Sequence, residues 1–136
     1  MQEQPAQQDA PPIVGVIDPD PVARNGLRTL LHGLGIDVST YDSAESYLLA
    51  VNGRHLACLI VDLLLPGMSG LELLRRLRSA GNDVPVILLA DESDVPTAVA
   101  AIREGATDFI EKPYVDVAVL RQVQKLLHAP SAASHA

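Results

Sequence analysis

Residues 57–67 read Ala57-Cys58-Leu59-Ile60-Val61-Asp62-Leu63-Leu64-Leu65-Pro66-Gly67. An apolar run this short, with no polar residue alternating through it, is what a strand needs when helices cover both faces of its sheet. The run meets a carboxylate at Asp62, and Pro66-Gly67 soon turns the chain. Asp62 therefore stands at the mouth of a strand end rather than in the core. Its carboxylate can serve as a cap on the following loop amides or as a functional group, and the strand alone leaves both open.

Outward from this run, short apolar segments alternate with helical patterns. Ile13 to Ile17 form a first strand, followed by Ala23, Leu27, Leu30, Leu31 and Leu34 on one helical face, with Gly35 as the stop. Ile36, Val38 and Thr40 alternate with Asp37, Ser39 and Tyr41 as a half-buried strand, and Ser43 with Ser46 opens a capped helix running through Leu48 to Val51. Beyond the strand at Ala57 to Val61, Gly70 to Ala80 is a helix with Leu71, Leu74 and Leu77 inward. Val84 to Leu89 is a fourth strand with Pro85 near its tolerated start. Asp94 caps a helix carrying Val95, Val99, Ile102 and Ala106, Asp108 to Glu111 is a short fifth strand, and Leu120, Val123 and Leu127 line a last helix.

Repeated β-α units with right-handed crossovers predict a flavodoxin-like α/β domain, a five-stranded parallel sheet of order 2-1-3-4-5 with helices on both faces. In that order the winding reverses between strands one and three, and the carboxyl ends of those strands open a crevice. Asp18 and Asp62 stand there. The fifth strand ends in Lys112-Pro113, which brings an ammonium to the same edge, able to compensate a phosphoryl group; an isolated surface lysine is the plainer alternative.

Composition bounds the rest. The 136 residues suit one domain, and 48% hydrophobic with 20% charged residues is an ordinary globular balance. The folded part is expected over 13–128, between a polar, Pro-rich tail at 1–12 and a small-residue tail at 129–136. No apolar run reaches the ~20 residues of a membrane span and no signal-peptide pattern opens the chain, so a cytoplasmic location and no membrane partner are expected. A net charge of −7 argues against direct nucleic-acid binding. Cys58 reads as a small buried hydrophobe, Arg75, Arg76 and Arg78 as a solvated face, and His32, His55, His128 and His135 lack metal-ligand spacing.

Four spaced motifs now agree: Ser43-Ala44-Glu45; Asp62 with Pro66-Gly67-Met68-Ser69-Gly70; Asp94-Val95-Pro96; and Gly105-Ala106-Thr107-Asp108-Phe109-Ile110-Glu111-Lys112-Pro113. Together they resemble the response-regulator receiver family (a CheY-like fold) over nearly all of residues 13–128, and look most similar to receivers that precede LuxR-type DNA-binding domains. The resemblance implies that Asp62 accepts a phosphoryl group from a phosphohistidine of a sensor histidine kinase, that Lys112 holds the phosphoryl oxygens, and that Phe109 is the aromatic that changes rotamer. It implies a cis Lys112-Pro113 peptide. It also implies Mg²⁺ between acids after the first strand, here Asp18, the acceptor Asp62 and the backbone carbonyl of Leu64, since a carboxylate attacking phosphate is anion meeting anion. Signalling would pass through the fourth helix, fifth strand and last helix to an output partner or a second copy in a homodimer.

The chain departs from that pattern at two positions. Asp18-Pro19 stands where family members carry adjacent acids, so a direct Mg²⁺ ligand is replaced by proline and the metal is expected to be weakened. Asp20 could substitute only by a shifted loop; with Pro21 after it, Asp20 reads better as a helix N-cap. Ala90 takes the place of the Thr or Ser whose hydroxyl would bond the phosphoryl group, and Asp91 beside it adds negative charge. An atypical receiver signalling by protein contact without phosphorylation is therefore an alternative. Val16-Ile17-Asp18-Pro19-Asp20-Pro21-Val22 also resembles the first motif of haloacid-dehalogenase-like phosphatases, with Asp18 as nucleophile, but the further hydroxyl and acidic pair of that family are missing. Asp-Pro-Asp-Pro is not a phosphate-binding loop either, which disfavours nucleotide or flavin. A signalling domain rather than an enzyme is the expectation.

Overall fold

The computed structural model describes residues 11–50 and 55–128. The expected tails, apart from Pro11 and Pro12, lie outside the described residues, as does Val51 of the second helix. In chain order the elements are β1 (Ile13–Ile17), α1 (Pro21–His32), β2 (Asp37–Tyr41), α2 (Ala44–Ala50), β3 (Cys58–Asp62), α3 (Gly70–Ser79), β4 (Val86–Ala90), α4 (Val95–Arg103), β5 (Asp108–Glu111) and α5 (Asp116–His128), with a 3₁₀ turn at Glu92–Asp94. The strands form one sheet of order β2-β1-β3-β4-β5, every neighbouring pair parallel. This is the expected flavodoxin-like topology.

Strand alternation divides the core into two layers. Val14, Val16, Cys58, Ile60, Ile87 and Leu89 point to one face and meet Leu27 and Leu31 of α1 and Val119 and Val123 of α5. Ile17, Leu59, Val61, Val86, Leu88 and Ala90 point to the other and meet α2, α3 and α4. Cys58 belongs to the first layer, and burial pushes its thiol up to about 12, so it packs as a hydrophobe and is not a nucleophile at neutral pH.

Several expected details differ. β4 begins at Val86, not Val84, because the Val84 amide bonds the Asn82 side chain and its carbonyl is taken by Arg78, leaving Pro85 O as the first atom to pair with β3 through Leu59 N. α1 ends at His32 and Gly35 turns with φ 78°, which leaves Leu34 exposed rather than on the core face. In α2 the buried residues are Ala44 and Tyr47, with Leu48 partly buried and Leu49 in solvent. α3 buries Leu73 together with Leu74 and Leu77, while Leu71 is only partly covered.

The largest difference is in α4. Asp94 makes no side-chain capping bond; it closes the 3₁₀ turn instead. The helix turns Ala98 and Ala101 to the sheet, leaving Val99 48% and Ile102 38% exposed. Small side chains let the helix axis approach the strands, and that close approach wins over burying the larger residues.

Candidate functional site

The register Ile17↔Val61 carries Asp18 to the level of Asp62, the last residue of β3. Asp18 N donates to Tyr41 O at 3.1 Å, and Lys112 N donates to Ala90 O at 2.8 Å, so both flanking strands end at the same edge. The expected convergence follows from this. Lys112 Nζ lies 2.6 Å from Asp62 Oδ2 and 3.5 Å from Asp18 Oδ2. The Lys112-Pro113 peptide is cis.

Each carboxylate splits its two oxygens between structure and site. Asp62 Oδ1 accepts the Leu64 amide at 3.0 Å, and Asp18 Oδ1 accepts the Asp20 amide at 2.9 Å. The remaining oxygens face Lys112. Asp62 thus caps the following loop with one oxygen and leaves the other turned to Lys112. Asp18 is 0% and Asp62 7% exposed, and Asp18 Oδ2 accepts no hydrogen bond among the described residues.

Burial pushes the Asp18 carboxyl above its ordinary range; the Asp20 amide and Lys112 work against that rise, and the Asp62 charge adds to it. Burial pulls Lys112 down, but the Asp62 hydrogen bond and the charges of both acids outweigh it, so the ammonium is held above its usual range. The centre is a buried pair of anions sharing one cation.

α3 sets the Asp62 backbone. Its N-cap Ser69 forms a reciprocal capping box with Glu72, and Gly70 N donates to Leu63 O at 3.0 Å. A Cβ on Gly70 would lie 2.6 Å from Asp62 O and 3.0 Å from Leu63 Cα, so only glycine lets the helix start this close to the end of β3. Arg24 of α1 adds a feature no sequence pattern signals: its Nη1 donates to Asp18 O at 2.7 Å, tying α1 to the end of β1.

Ala90 is buried and Phe109 partly buried in the same core layer, and their strands are paired through Leu88↔Phe109 and Ala90↔Glu111. Ala90 offers only a methyl at the end of β4. Asp91 is exposed and makes no side-chain capping bond at the start of the 3₁₀ turn. It lines a shallow cleft of about 460 Å³ with Asp20, Ala23, Lys112, Pro113 and Tyr114, which shares Lys112 with the acidic centre. Another concavity, of about 530 Å³ between Leu34, Ile36 and Leu127, lies at the opposite end of the strands and shares no residue with it.

The side chains at this edge offer a cation two carboxylates, those of Asp18 and Asp62. Pro19 offers no donor. Asp20 is the N-cap of α1, as its position before Pro21 predicts: Oδ1 accepts Val22 N at 2.9 Å. Among the described residues no three His, Cys, Asp or Glu side chains gather where they could hold a metal. The orphaned Asp18 Oδ2 is a cation acceptor, and the cation that faces it is Lys112.

The sequence pattern of the response regulator receiver domain matches residues 14–124. Among curated proteins, the chain is 35% identical to the transcriptional regulatory protein FixJ of Bradyrhizobium diazoefficiens, covering 89% of this chain and 60% of that one. It is 34% identical to the response regulator protein TodT of Pseudomonas putida, covering 94% and 57%. Among solved structures, full-length FixJ from B. japonicum superposes with a TM-score of 0.84 at 34% identity, over 90% of this chain and 62% of that one. The chain thus spans about 60% of the length of these relatives.

Proposed function

Because the chain belongs to the response regulator receiver domain family of two-component signalling, we propose that Asp62 accepts a phosphoryl group from a phosphohistidine of a sensor histidine kinase. In that transfer an Asp62 oxygen forms the new O–P bond as the N–P bond breaks, and the freed imidazole takes up a proton. One observation carries the reading: Lys112 Nζ at 2.6 Å from Asp62 Oδ2 already stands where the added phosphoryl oxygens need a counter-charge. Lys112 holds them by charge-assisted hydrogen bonds.

The transfer is slow in this chain. Pro19 removes a carboxylate from the metal ligands that the family resemblance implies, leaving Asp18, Asp62 and the Leu64 carbonyl, with Asp20 committed to its cap. Mg²⁺ accordingly binds weakly. Ala90 supplies no hydroxyl to the phosphoryl group, so any coupling to the Phe109 ring runs without that bond. The Asp18 phosphatase reading has no support in the geometry, since Asp18 is wholly buried and Asp20 is engaged with α1. The domain acts as a phosphoacceptor, not as an enzyme releasing a product.

Signalling passes through α4, β5 and α5. Val99 and Ile102 on α4, with Val115 just before α5 and Val117 in its first turn, leave apolar area in solvent for an output partner or a second copy of the chain. The names of the relatives as regulators of transcription support a cytoplasmic setting and an output that handles DNA, while this chain, at net charge −7, makes no DNA contact itself. Intact-mass measurement after incubation with acetyl phosphate tests the proposal. A mass gain of one phosphoryl group, lost in Asp62→Asn, is expected; no gain with or without Mg²⁺ overturns it.

A further inference from the structure

Glu45 lies in the first turn of α2, and its carboxylate leaves that helix to grip the loop after β3: Oε2 accepts the Met68 amide at 2.8 Å. α2 does not need Glu45 as a cap, because Ser46 N donates to Ser43 Oγ at 3.0 Å and Ser43 N to Ser46 Oγ at 3.3 Å. A favourable position in the helix dipole accounts for an acid in the first turn but not for a bond to another element. Gly67 completes the arrangement. Its φ of 73° suits glycine, and a Cβ there would fall 2.6 Å from Glu45 Oε2, so the missing side chain leaves room for the carboxylate as well as for the turn.

The gripped loop is the one that orients Asp62. At its start Leu64 N donates to Asp62 Oδ1 at 3.0 Å, and at its end Ser69 caps α3. Between these ends Leu65 packs into the core layer, and Met68 N is the backbone group that a side chain of another helix bonds. Its side chain also packs on the core layer shared with α2. Without Glu45 the loop keeps its two ends, but Met68 N returns to solvent and the stretch holding Leu64 gains freedom.

We infer that Glu45 is a positioning residue for Asp62, acting through the Met68 amide and the loop to keep the Leu64 N–H on the acceptor carboxylate. Its effect on transfer rests on the reading of Asp62 as phosphoacceptor; its effect on the loop does not. The test compares Glu45→Ala and Glu45→Gln with the unaltered chain, by amide hydrogen exchange at Met68 and Leu64 and by the rate of acetyl phosphate labelling. Alanine is expected to speed exchange at both amides and to slow labelling by about tenfold, the scale of one lost charge-assisted hydrogen bond. Glutamine, whose amide oxygen can still accept the Met68 N–H, is expected to restore most of both. Faster exchange at Met68 with Leu64 unchanged would overturn the inference, as would Glu45→Gln behaving like Glu45→Ala. A chain that shows the paired exchange effect yet never labels would count against Asp62 as phosphoacceptor and leave the loop clamp standing.

Discussion

Lys112 Nζ lies 2.6 Å from Asp62 Oδ2 and 3.5 Å from Asp18 Oδ2, so one ammonium serves two buried carboxylates. The arrangement is asymmetric. Removing an anion leaves a matched pair, whereas removing the cation leaves two anions facing each other with no counter-charge. Lys112→Met should therefore destabilise the fold by about 1–3 kcal/mol, below the full cost of breaking a wholly buried pair because the lysine side chain is a quarter exposed. Urea denaturation of the two proteins at neutral pH measures this.

Asp18 gives the fold a pH signature. Its carboxyl is raised above the ordinary value of 3.8, chiefly by burial, so between 3.8 and that raised value the native state holds a proton that the unfolded chain releases. The Asp18 contribution to stability is fully present below 3.8 and is lost as pH rises through the folded value. Asp18→Asn carries no titrating group and should flatten that part of the curve, which a series of denaturation midpoints from pH 3.5 upward, about one unit at a time, would reveal.

Pro19 bears on the metal. Pro19→Asp places a third acid beside Asp18 and Asp62 and should tighten Mg²⁺ binding by at least about tenfold, the lower end of the effect of even outer-shell changes. Calorimetric titration of both proteins with Mg²⁺ checks the prediction; equal affinities would mean that Pro19 is not what weakens the site.

Gly70 joins the start of α3 to the backbone of Asp62. Gly70→Ala puts a methyl 2.6 Å from Asp62 O, a backbone atom that cannot swing aside. A loss of about 1–3 kcal/mol is expected from the forced shift, together with a displaced Leu64 amide resonance, since Leu64 N bonds the same aspartate.

The sheet order was legible because continuous apolar runs at Ile13–Ile17 and Ala57–Val61 mark doubly covered strands, and the alternation at Ile36–Tyr41 marks an edge. Asp20 could be read as a cap because Pro21 follows it. What remained hidden depends on distances across the fold. The inward face of α4 is set by how close Ala98 and Ala101 let that helix come to the sheet, and periodicity of large residues points one position away, to Val99 and Ile102. Val84 carries strand-like sequence but loses its pairing to Asn82 and Arg78. The bond from Arg24 to Asp18 O and that from Met68 to Glu45 each join a side chain to the backbone of a different element, which no local residue pattern encodes.

The most direct measurement traps the modified residue itself. After incubation with acetyl phosphate, borohydride reduces an aspartyl phosphate to the alcohol, and peptide sequencing by mass spectrometry reads where the alcohol lies. Reduction at position 62 alone, slow in the unaltered chain and faster in Pro19→Asp with Mg²⁺, is the predicted result. Reduction at Asp18 or Asp20, or none at any position, would contradict the assignment of Asp62 as the acceptor.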